Sequence, residues 1–514
     1  MILTAIVGFV LCLPQQATGD WPRWGGSRGD FRVSSLDAFV NQPLRSQWSV
    51  EVGDGESGVV ANANRVFVTS LIRQAAEFKE EQELFERVVA IDRKTGDVAW
   101  SKQYRVERLK NQESFGASKR SPKATPALVG NRLVTLGFTG ELKCWRTTDG
   151  KLLWEHDLVE DFGAKPVQFG FSGSPVVDAN DVFVLIGGEK GGLSCLDASD
   201  GRQSWVLPLK DMASYATPVL CTLAGTRQVV CQSRNNVIGV NRADGKKLWE
   251  WPLPKSGLTN VPTPLPVSKD RVLVSGQGCE GTGCLQIAKT GTAWTAKQLW
   301  LTKRVEFFYC NWLAMDDRSV IGCNDKLLFG LNTDDGTVTG RWRGYGDANL
   351  LADKNTVVAM HGDGKMSFLK RSVGSLELQR RVQVTNKRCW TPPTIVGDQM
   401  FVRSGKNLQC VTPLGSGEKL AAIETKPEIY AFGSTNPTRD YVGEIVAEFE
   451  KSGAEGAFGL YQKFDADGTK FDVAQRLALA GLAAEQNLLD FRQKILADAL
   501  RAFPNSKEVR AAMK

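Results

Sequence analysis

Short runs of alternating apolar and polar residues, each closed by a polar turn and a tryptophan, recur along this chain about every 45 to 50 residues. One unit reads Val89-Ala-Ile-Asp92-Arg-Lys-Thr-Gly96 and reaches Trp100. The next reads Leu142-Lys-Cys-Trp-Arg-Thr-Thr-Asp-Gly150 and reaches Trp154. The same sentence returns as Leu193 to Asp197 and Gly201 with Trp205, as Val237 to Gly245 with Trp249, and as Leu331 to Gly336 with Trp342. Alternation of period two predicts strands with one face in a core, and the Gly-terminated polar stretches predict tight turns. A unit of this length built only of strands predicts small sheets repeated around a common centre.

A second phrase opens each unit. Small or polar residues, often Thr-Pro or Ser-Pro, precede a strand, a turn and another strand, as in Ala124-Thr-Pro-Ala-Leu-Val-Gly-Asn and Gly173-Ser-Pro-Val-Val-Asp-Ala-Asn. Together the phrases give four antiparallel strands per unit. Openings fall near Gly58, Ala124, Gly173, Ala216, Pro262, Asn311, Asn349 and Trp390, so the chain is expected to form an eight-bladed, all-β propeller over residues 20–425. An open ring would expose two sheet edges, so Trp48-Ser-Val50 is expected to supply an outer strand that completes the last blade. Residues 426–514 change character: 441–464 and 471–503 are rich in Ala, Leu, Glu and Lys at helical spacing and predict a small helical region. Ala499-Leu-Arg-Ala-Phe503-Pro504 resembles the end of a tetratricopeptide helix pair.

Composition narrows the classes. The net charge of +7 over 514 residues is spread without a basic run, which argues against nucleic acid as a partner. Ile2 to Leu13 is apolar but short for a membrane span, and Ala17-Thr-Gly19 follows it. Residues 1–19 are therefore expected to be a cleaved signal peptide, with a periplasmic or secreted product and no transmembrane segment. Removing Cys12 leaves ten cysteines in an oxidising compartment. Cys221 with Cys231, Cys310 with Cys323, and Cys279 with Cys284 flank turns and are candidate disulfides. Cys144, Cys195 and Cys410 occupy one repeat position, where Ala90 and Gly239 stand elsewhere, and read as small buried apolar residues. Two histidines and no Cys-x-x-Cys leave no zinc site or nucleophilic triad.

The phrase Ala-Ile-Asp-x-x-Thr-Gly-x-x-x-Trp resembles the repeat of pyrroloquinoline-quinone (PQQ)-like β-propellers, over roughly residues 45–415. Trp21-Pro-Arg-Trp24-Gly-Gly resembles the opening segment of exported bacterial members. The resemblance implies one of two branches: quinoprotein alcohol and glucose dehydrogenases, or cofactor-free scaffolds such as BamB. The enzymes require a Trp against the quinone, in many cases a disulfide of adjacent cysteines, and Ca²⁺ held by Glu, Asn and Asp. This chain has no Cys-Cys pair, and its blades are short for the loops of a quinone pocket. The expectation is a non-enzymatic, monomeric scaffold that binds a protein or polymer at the cell envelope, with no catalytic, cofactor or metal residues. PQQ with Ca²⁺ belongs to the dehydrogenase alternative, and a carbohydrate-binding propeller is a second alternative.

Candidate contact residues come from two insertions and two tryptophans. Residues 73–87, of charged and helical composition, carry Phe78 and Phe85 and are expected to join the second and third strands of the first blade. Residues 104–123 are basic, carry Arg105 and Arg108, and lead to the second blade. Trp312 and Trp390 are placed near the axis by their positions at blade openings. Phe464-Asp-Ala-Asp-Gly468 lacks the oxygen ligands of a Ca²⁺ loop, and Gly187 to Gly192 and Gly276 to Gly283 do not lead from strand into helix as a phosphate loop must.

Overall fold

A computed structural model describes residues 20–75, 82–106, 121–257, 260–316, 318–372, 375–413, 417–423 and 429–431, and parts of the segment 445–513. Eight antiparallel sheets form a propeller. The innermost strands are Val60–Ala61, Ala127–Val129, Val176–Asp178, Val219–Leu223, Leu265–Pro266, Trp312–Ala314, Asn349–Ala352 and Thr394–Val396, which number blades one to eight. Arg45–Glu51 pairs with Asn407–Thr412 of blade eight, with Trp48 opposite Cys410. The first strand of the chain thus completes the last blade, as its sequence predicts.

An inner girdle of hydrogen bonds explains the Thr-Pro and Ser-Pro openings. Gly58 N donates to Thr125 Oγ1 (3.0 Å), Thr125 N to Ser174 Oγ (2.9 Å), Ser174 N to Thr217 Oγ1 (3.1 Å), and Thr217 N to Thr263 Oγ1 (3.3 Å). Trp312 Nε1 donates to Thr263 O (2.7 Å), and the Asn311 amide bonds both ways with the Leu350 backbone at 2.7 Å. Asn349 Nδ2 donates to Trp390 O (3.0 Å) and Thr394 Oγ1 to Val59 O (2.7 Å), closing the circle across all eight seams. Strands converging at the axis leave backbone donors without ladder partners, and the short polar side chains of the neighbouring blade satisfy them.

An outer girdle explains the Gly and the Trp. The two do not meet within one unit; at five seams the Trp of one unit lies against the Gly of the next. A Cβ on Gly96 would stand 2.7 Å from Trp48, one on Gly150 2.7 Å from Trp100, and one on Gly201 2.8 Å from Trp154. The corresponding distances are 2.6 Å for Gly245 on Trp205 and 2.5 Å for Gly336 on Trp300. The indole nitrogens of Trp48, Trp100, Trp154 and Trp300 donate at 2.9–3.0 Å to carbonyls of the turns they meet, those of Arg93, Thr147, Ala198 and Thr333. Trp249 lacks such a turn ahead of it and donates instead to Gln228 Oε1 of its own blade (2.8 Å). Trp342 is buried in the large core that runs through blades six, seven, eight and one.

The register corrects the disulfide expectations; all ten described cysteines are buried free thiols. Cys221 faces Gln228, in the core between blades four and five, whereas Cys231 faces the core between blades three and four. Cys279 and Cys284 also point into different cores. Cys284 sits opposite Trp300, as Cys144, Cys195 and Cys410 sit opposite Trp154, Trp205 and Trp48. The position requires a small residue because the indole covers it: a Cβ on Gly239 would be 2.1 Å from Trp249. Cys310 and Cys323 share one core near the Trp312–Gly322 pair but remain unbonded. Burial pushes the Cys221, Cys231, Cys279 and Cys284 thiols up to about 12, so none is a thiolate at neutral pH.

Within 426–514, Ile429–Ala431 is a strand, pairing with Ser375–Glu377 of blade seven. Helices Val473–Glu485, Leu489–Ala502 and Lys507–Ala512 follow. Their core, which includes Tyr461, Phe471, Leu479, Ile495 and Leu496, is separate from those of the blades. Val473–Glu485 touches both Leu489–Ala502 and the strand Ile429–Ala431.

Trp48→Ala, which empties the dock at the closing seam, is expected to lower unfolding stability by about 3 kcal/mol or more in chemical denaturation. Gly96→Ala and Gly130→Ala both place Cβ at positive φ, a cost of about 1–2 kcal/mol. Only Gly96 also meets an indole, since nothing lies within 4 Å of a Cβ on Gly130. Gly96→Ala should therefore destabilise clearly more than Gly130→Ala, and equal losses would contradict the dock.

Candidate functional site

The two ends of the ring differ. At the end where the innermost strands finish, residues 21–36 run across the blades. Trp21 bridges Ala61 of blade one, Pro22 O accepts from Leu128 N of blade two (2.7 Å), and Arg23 Nη1 donates to Val177 O of blade three (2.8 Å). Further on, Arg32 donates to Asp353 O of blade seven (2.7 Å) and to Ala314 O of blade six. This strap covers that end.

At the opposite end, where the innermost strands begin, a cleft of about 250 Å³ lies between blades eight and one. Asp54, Gly55 and Glu56 reach it just before the first inner strand, and Arg73 from the second strand of blade one. Ser121 lines it ahead of blade two, and Arg388, Trp390, Thr391, Arg403 and Gly405 come from blade eight. Three guanidiniums thus face two carboxylates. Asp54 lies 3.9 Å from Arg73, and Glu56 lies 3.9 Å from Lys123. The remaining two cations have no ion pair among the described residues. Arg388 is exposed and lies over the Trp390 ring, 4.1 Å from its centroid.

Arg403 is 3 % exposed. Its Nη1 donates to Ser57 Oγ (3.1 Å) and Thr69 O (2.5 Å), its Nη2 to Gly53 O (3.2 Å), and its Nε has no partner. Burial lowers its pKa to about 10, against the opposing charges of Glu56 and Asp54, and it stays charged at neutral pH. Gly55 is required beside it, since a Cβ there would stand 2.4 Å from Nη2.

The structure sorts the sequence candidates. Trp390 lies in the cleft, its ring 5.8 Å from that of the exposed Tyr309. Trp312 is buried, packed on Phe307 at 5.0 Å and committed to Thr263. Phe78 and Arg108 lie outside the described residues. The insertion 73–87 is not helical where described: Arg65–Ala75 and Gln82–Asp92 pair continuously from Arg65↔Asp92 to Ala75↔Gln82, one long hairpin that carries half-buried Phe85. Leu84, Glu86 and Val88 alternate inward, and the ladder overrides the helix propensity of the glutamates. Arg105 pairs with Glu83 at 2.8 Å on this hairpin. By strand direction, Ala75 and Gln82 at the far end of the paired strands and Arg105 at the end of Val98–Arg105 stand at the cleft end of the ring. Arg388, Arg403, Asp54 and Glu56 were not singled out by sequence; the one available signal was a charged Arg403 inside the buried strand Gln399–Ser404.

Glu86 fixes the base of the hairpin. It is buried, accepts from Phe138 N (2.7 Å) and Tyr104 Oη, and lies near Glu141 of blade two. Burial, then the Glu141 charge, raise its pKa from 4.5 to about 8, against the two hydrogen bonds. The histidines lie elsewhere: His156 bonds Gly201 O (2.8 Å), and buried His361, held neutral with a pKa near 4, bonds Ser367 Oγ (2.8 Å). No cluster of three metal-ligating residues occurs among the described residues. None of their helices is long and apolar enough to cross a membrane.

The fold and the repeat define a class, and comparison agrees. The family model described as "Outer membrane protein assembly factor BamB" matches residues 84–339. The chain is a PQQ-like β-propeller repeat protein. Among solved structures, BamB from Moraxella catarrhalis is similar at 14 % identity and a TM-score of 0.37, over 72 % of this chain and 97 % of that one. A europium-containing methanol dehydrogenase is similar at 10 % identity and 0.41, over 70 % and 90 %. A quinohemoprotein alcohol dehydrogenase from Comamonas testosteroni is similar at 12 % and 0.35, over 84 % of each chain. No curated protein matches the chain.

Because the folded state holds the Glu86 proton more tightly than the unfolded chain, this group's stabilisation is complete below pH 4.5 and is lost as pH rises through about 8. Denaturation midpoints measured across that window should fall more in the wild type than in Glu86→Gln, where the dependence should flatten.

Proposed function

We propose that this protein is a non-enzymatic scaffold, exported to the cell envelope, that holds a protein or polymer partner at the open end of its ring. The observation that carries this reading is the convergence on one end of the long paired strands of blade one, Arg105 and the arginine-bearing cleft, while the strap covers the other end. The match to a family model named for an outer-membrane assembly factor supports a scaffold role and an envelope location. Loops and hairpins on a rigid ring are suited to recognition.

The dehydrogenase alternative fits these residues poorly. A calcium site needs several oxygen ligands converging on one point. Here the cleft's carboxylates sit beside Arg73 and Lys123, and the surrounding guanidiniums oppose a cation. A quinone also needs a free indole face, whereas Arg388 lies over Trp390. The same occupied face disfavours stacking of a sugar ring on Trp390.

Purified protein fixed to a matrix and exposed to envelope extract should retain a defined partner. Replacing residues 74–83 by a two-residue turn should reduce its recovery severalfold while leaving the far-ultraviolet spectrum and the unfolding midpoint nearly unchanged. Dye-linked alcohol or sugar oxidation after addition of PQQ and Ca²⁺ would overturn the reading.

A further inference from the structure

We infer that the cleft between blades eight and one is a carboxylate-binding site that captures an acidic peptide segment of the partner, with Arg388 as its contacting cation and Arg403 as a buried charge beneath it. This rests on the scaffold reading and names the chemistry of its partner.

Two cations in the cleft make no close ion pair among the described residues: Asp54 and Glu56 act on Arg403, and Asp347 on Arg388, only at longer range. The carboxylates of Asp54 and Glu56 are held beside Arg73 and Lys123, whereas Arg388 and Arg403 have no ion pair among the described residues. Arg403 is almost fully buried, where an uncompensated charge is costly, and carbonyl and hydroxyl acceptors satisfy only part of its guanidinium. Its Nε and the nearby Thr69 Oγ1 are buried without partners. Such a group is retained where the charge serves something outside the resting fold.

Arg388 is placed to meet that something. Its guanidinium lies over Trp390, which orders the long side chain and leaves its edge of N–H donors free to fork onto a carboxylate. A carboxylate so bound would lie over Arg403 and add to the negative charge of Asp54 and Glu56 in a partly desolvated site.

The size and the aromatic geometry select the ligand. A cleft of about 250 Å³ takes a side chain or a chain terminus, not a folded surface. Arg388 occupies the Trp390 face on which a pyranose would stack and presents a cation in its place, so an acidic peptide fits better than an acidic polysaccharide. The hairpin of blade one stands beside the cleft and provides a wall along which an extended segment can run.

The test is fluorescence anisotropy with full-length protein and a labelled oligo-glutamate peptide, with an oligo-glutamine peptide and a labelled oligogalacturonate as comparison arms. The wild type should bind the glutamate peptide with an affinity that falls as salt rises, and should bind the glutamine peptide at least about tenfold more weakly. Arg388→Gln, an exposed change, should weaken binding by about tenfold or more, and Arg388→Lys should recover only part of it, because an ammonium keeps the charge and loses the fork. Arg403→Met should weaken binding too, and Arg388→Gln keeps the test decisive if that buried variant does not fold. Equal binding of both peptides, or an unchanged affinity in Arg388→Gln, would overturn the site; tighter binding of the galacturonate would overturn the peptide assignment. If envelope extract still yields the same partner with Arg388→Gln at full recovery, the cleft proposal fails and the scaffold reading stands. Loss of the partner only in the hairpin-shortened protein would likewise overturn the cleft and leave the scaffold reading in place.

Discussion

The indole that five of the eight blades extend into the next is the interaction on which the ring depends. It makes three demands at once: a small residue opposite it on its own sheet, a glycine in the neighbouring turn, and a carbonyl in reach of its nitrogen. Cys144, Trp154, Gly201 and Ala198 meet them at one seam; Cys410, Trp48, Gly96 and Arg93 meet them at the closing one. Burying an indole contributes several kcal/mol, and edge-of-sheet packing alone offers no comparable directional contact. The polar turn is therefore a socket for the neighbouring blade as well as a reversal of the chain. Its glycine is required both for a φ near +70° to +80° and for the space an indole fills.

A dock at the rim fixes the spacing of the blades but leaves their inner edges free to splay. The hydrogen bonds from Gly58 round to Thr394 fix the inner edges, and they persist where the tryptophan dock is lost. Between blades four and five, Trp249 turns back to Gln228, yet Thr217 still donates to Thr263. Between blades six and seven, Asn311 makes two bonds to Leu350 in place of a hydroxyl. The two girdles act at different radii, so decay of one can be tolerated while the other holds. This is why a motif that fades after its fourth copy still builds a closed ring.

Much of this was legible in the sequence because the signal repeats. Eight openings, the alternating strands and Trp48 as the closing strand are local patterns, and each copy corroborates the others. What failed were inferences that needed a register. Cys221 and Cys231 are symmetric about their turn, yet they point into different cores. The glutamates of residues 77–86 suggested a helix, but Leu84, Glu86 and Val88 follow the ladder of a hairpin whose first strand is already fixed in blade one. The cleft was illegible for another reason. Asp54 and Arg388 are brought together only by ring closure, and no spacing in the sequence marks that proximity. Arg403 alone broke its local pattern, and a charge inside a buried strand is the kind of inconsistency that points to a site.

The position of the cleft has a thermodynamic consequence. It straddles the seam at which blade eight, completed by the N-terminal strand, meets blade one, so its cations come from both sides of the one junction that separates the ends of the propeller sequence. At this seam the dock of Trp48 on Gly96 holds the rim and Thr394 on Val59 holds the inner edge. Arg403, from blade eight, reaches Ser57, Thr69 and Gly53 of the blade-one side and adds a third tie, made of a charge. An anion held in the cleft lowers the cost of burying that charge and so strengthens the tie. Because ligand that binds only the closed ring stabilises it by mass action, occupancy and closure are coupled through Arg403. Under the proposed reading, the seam that closes the ring is most rigid when the cleft is occupied.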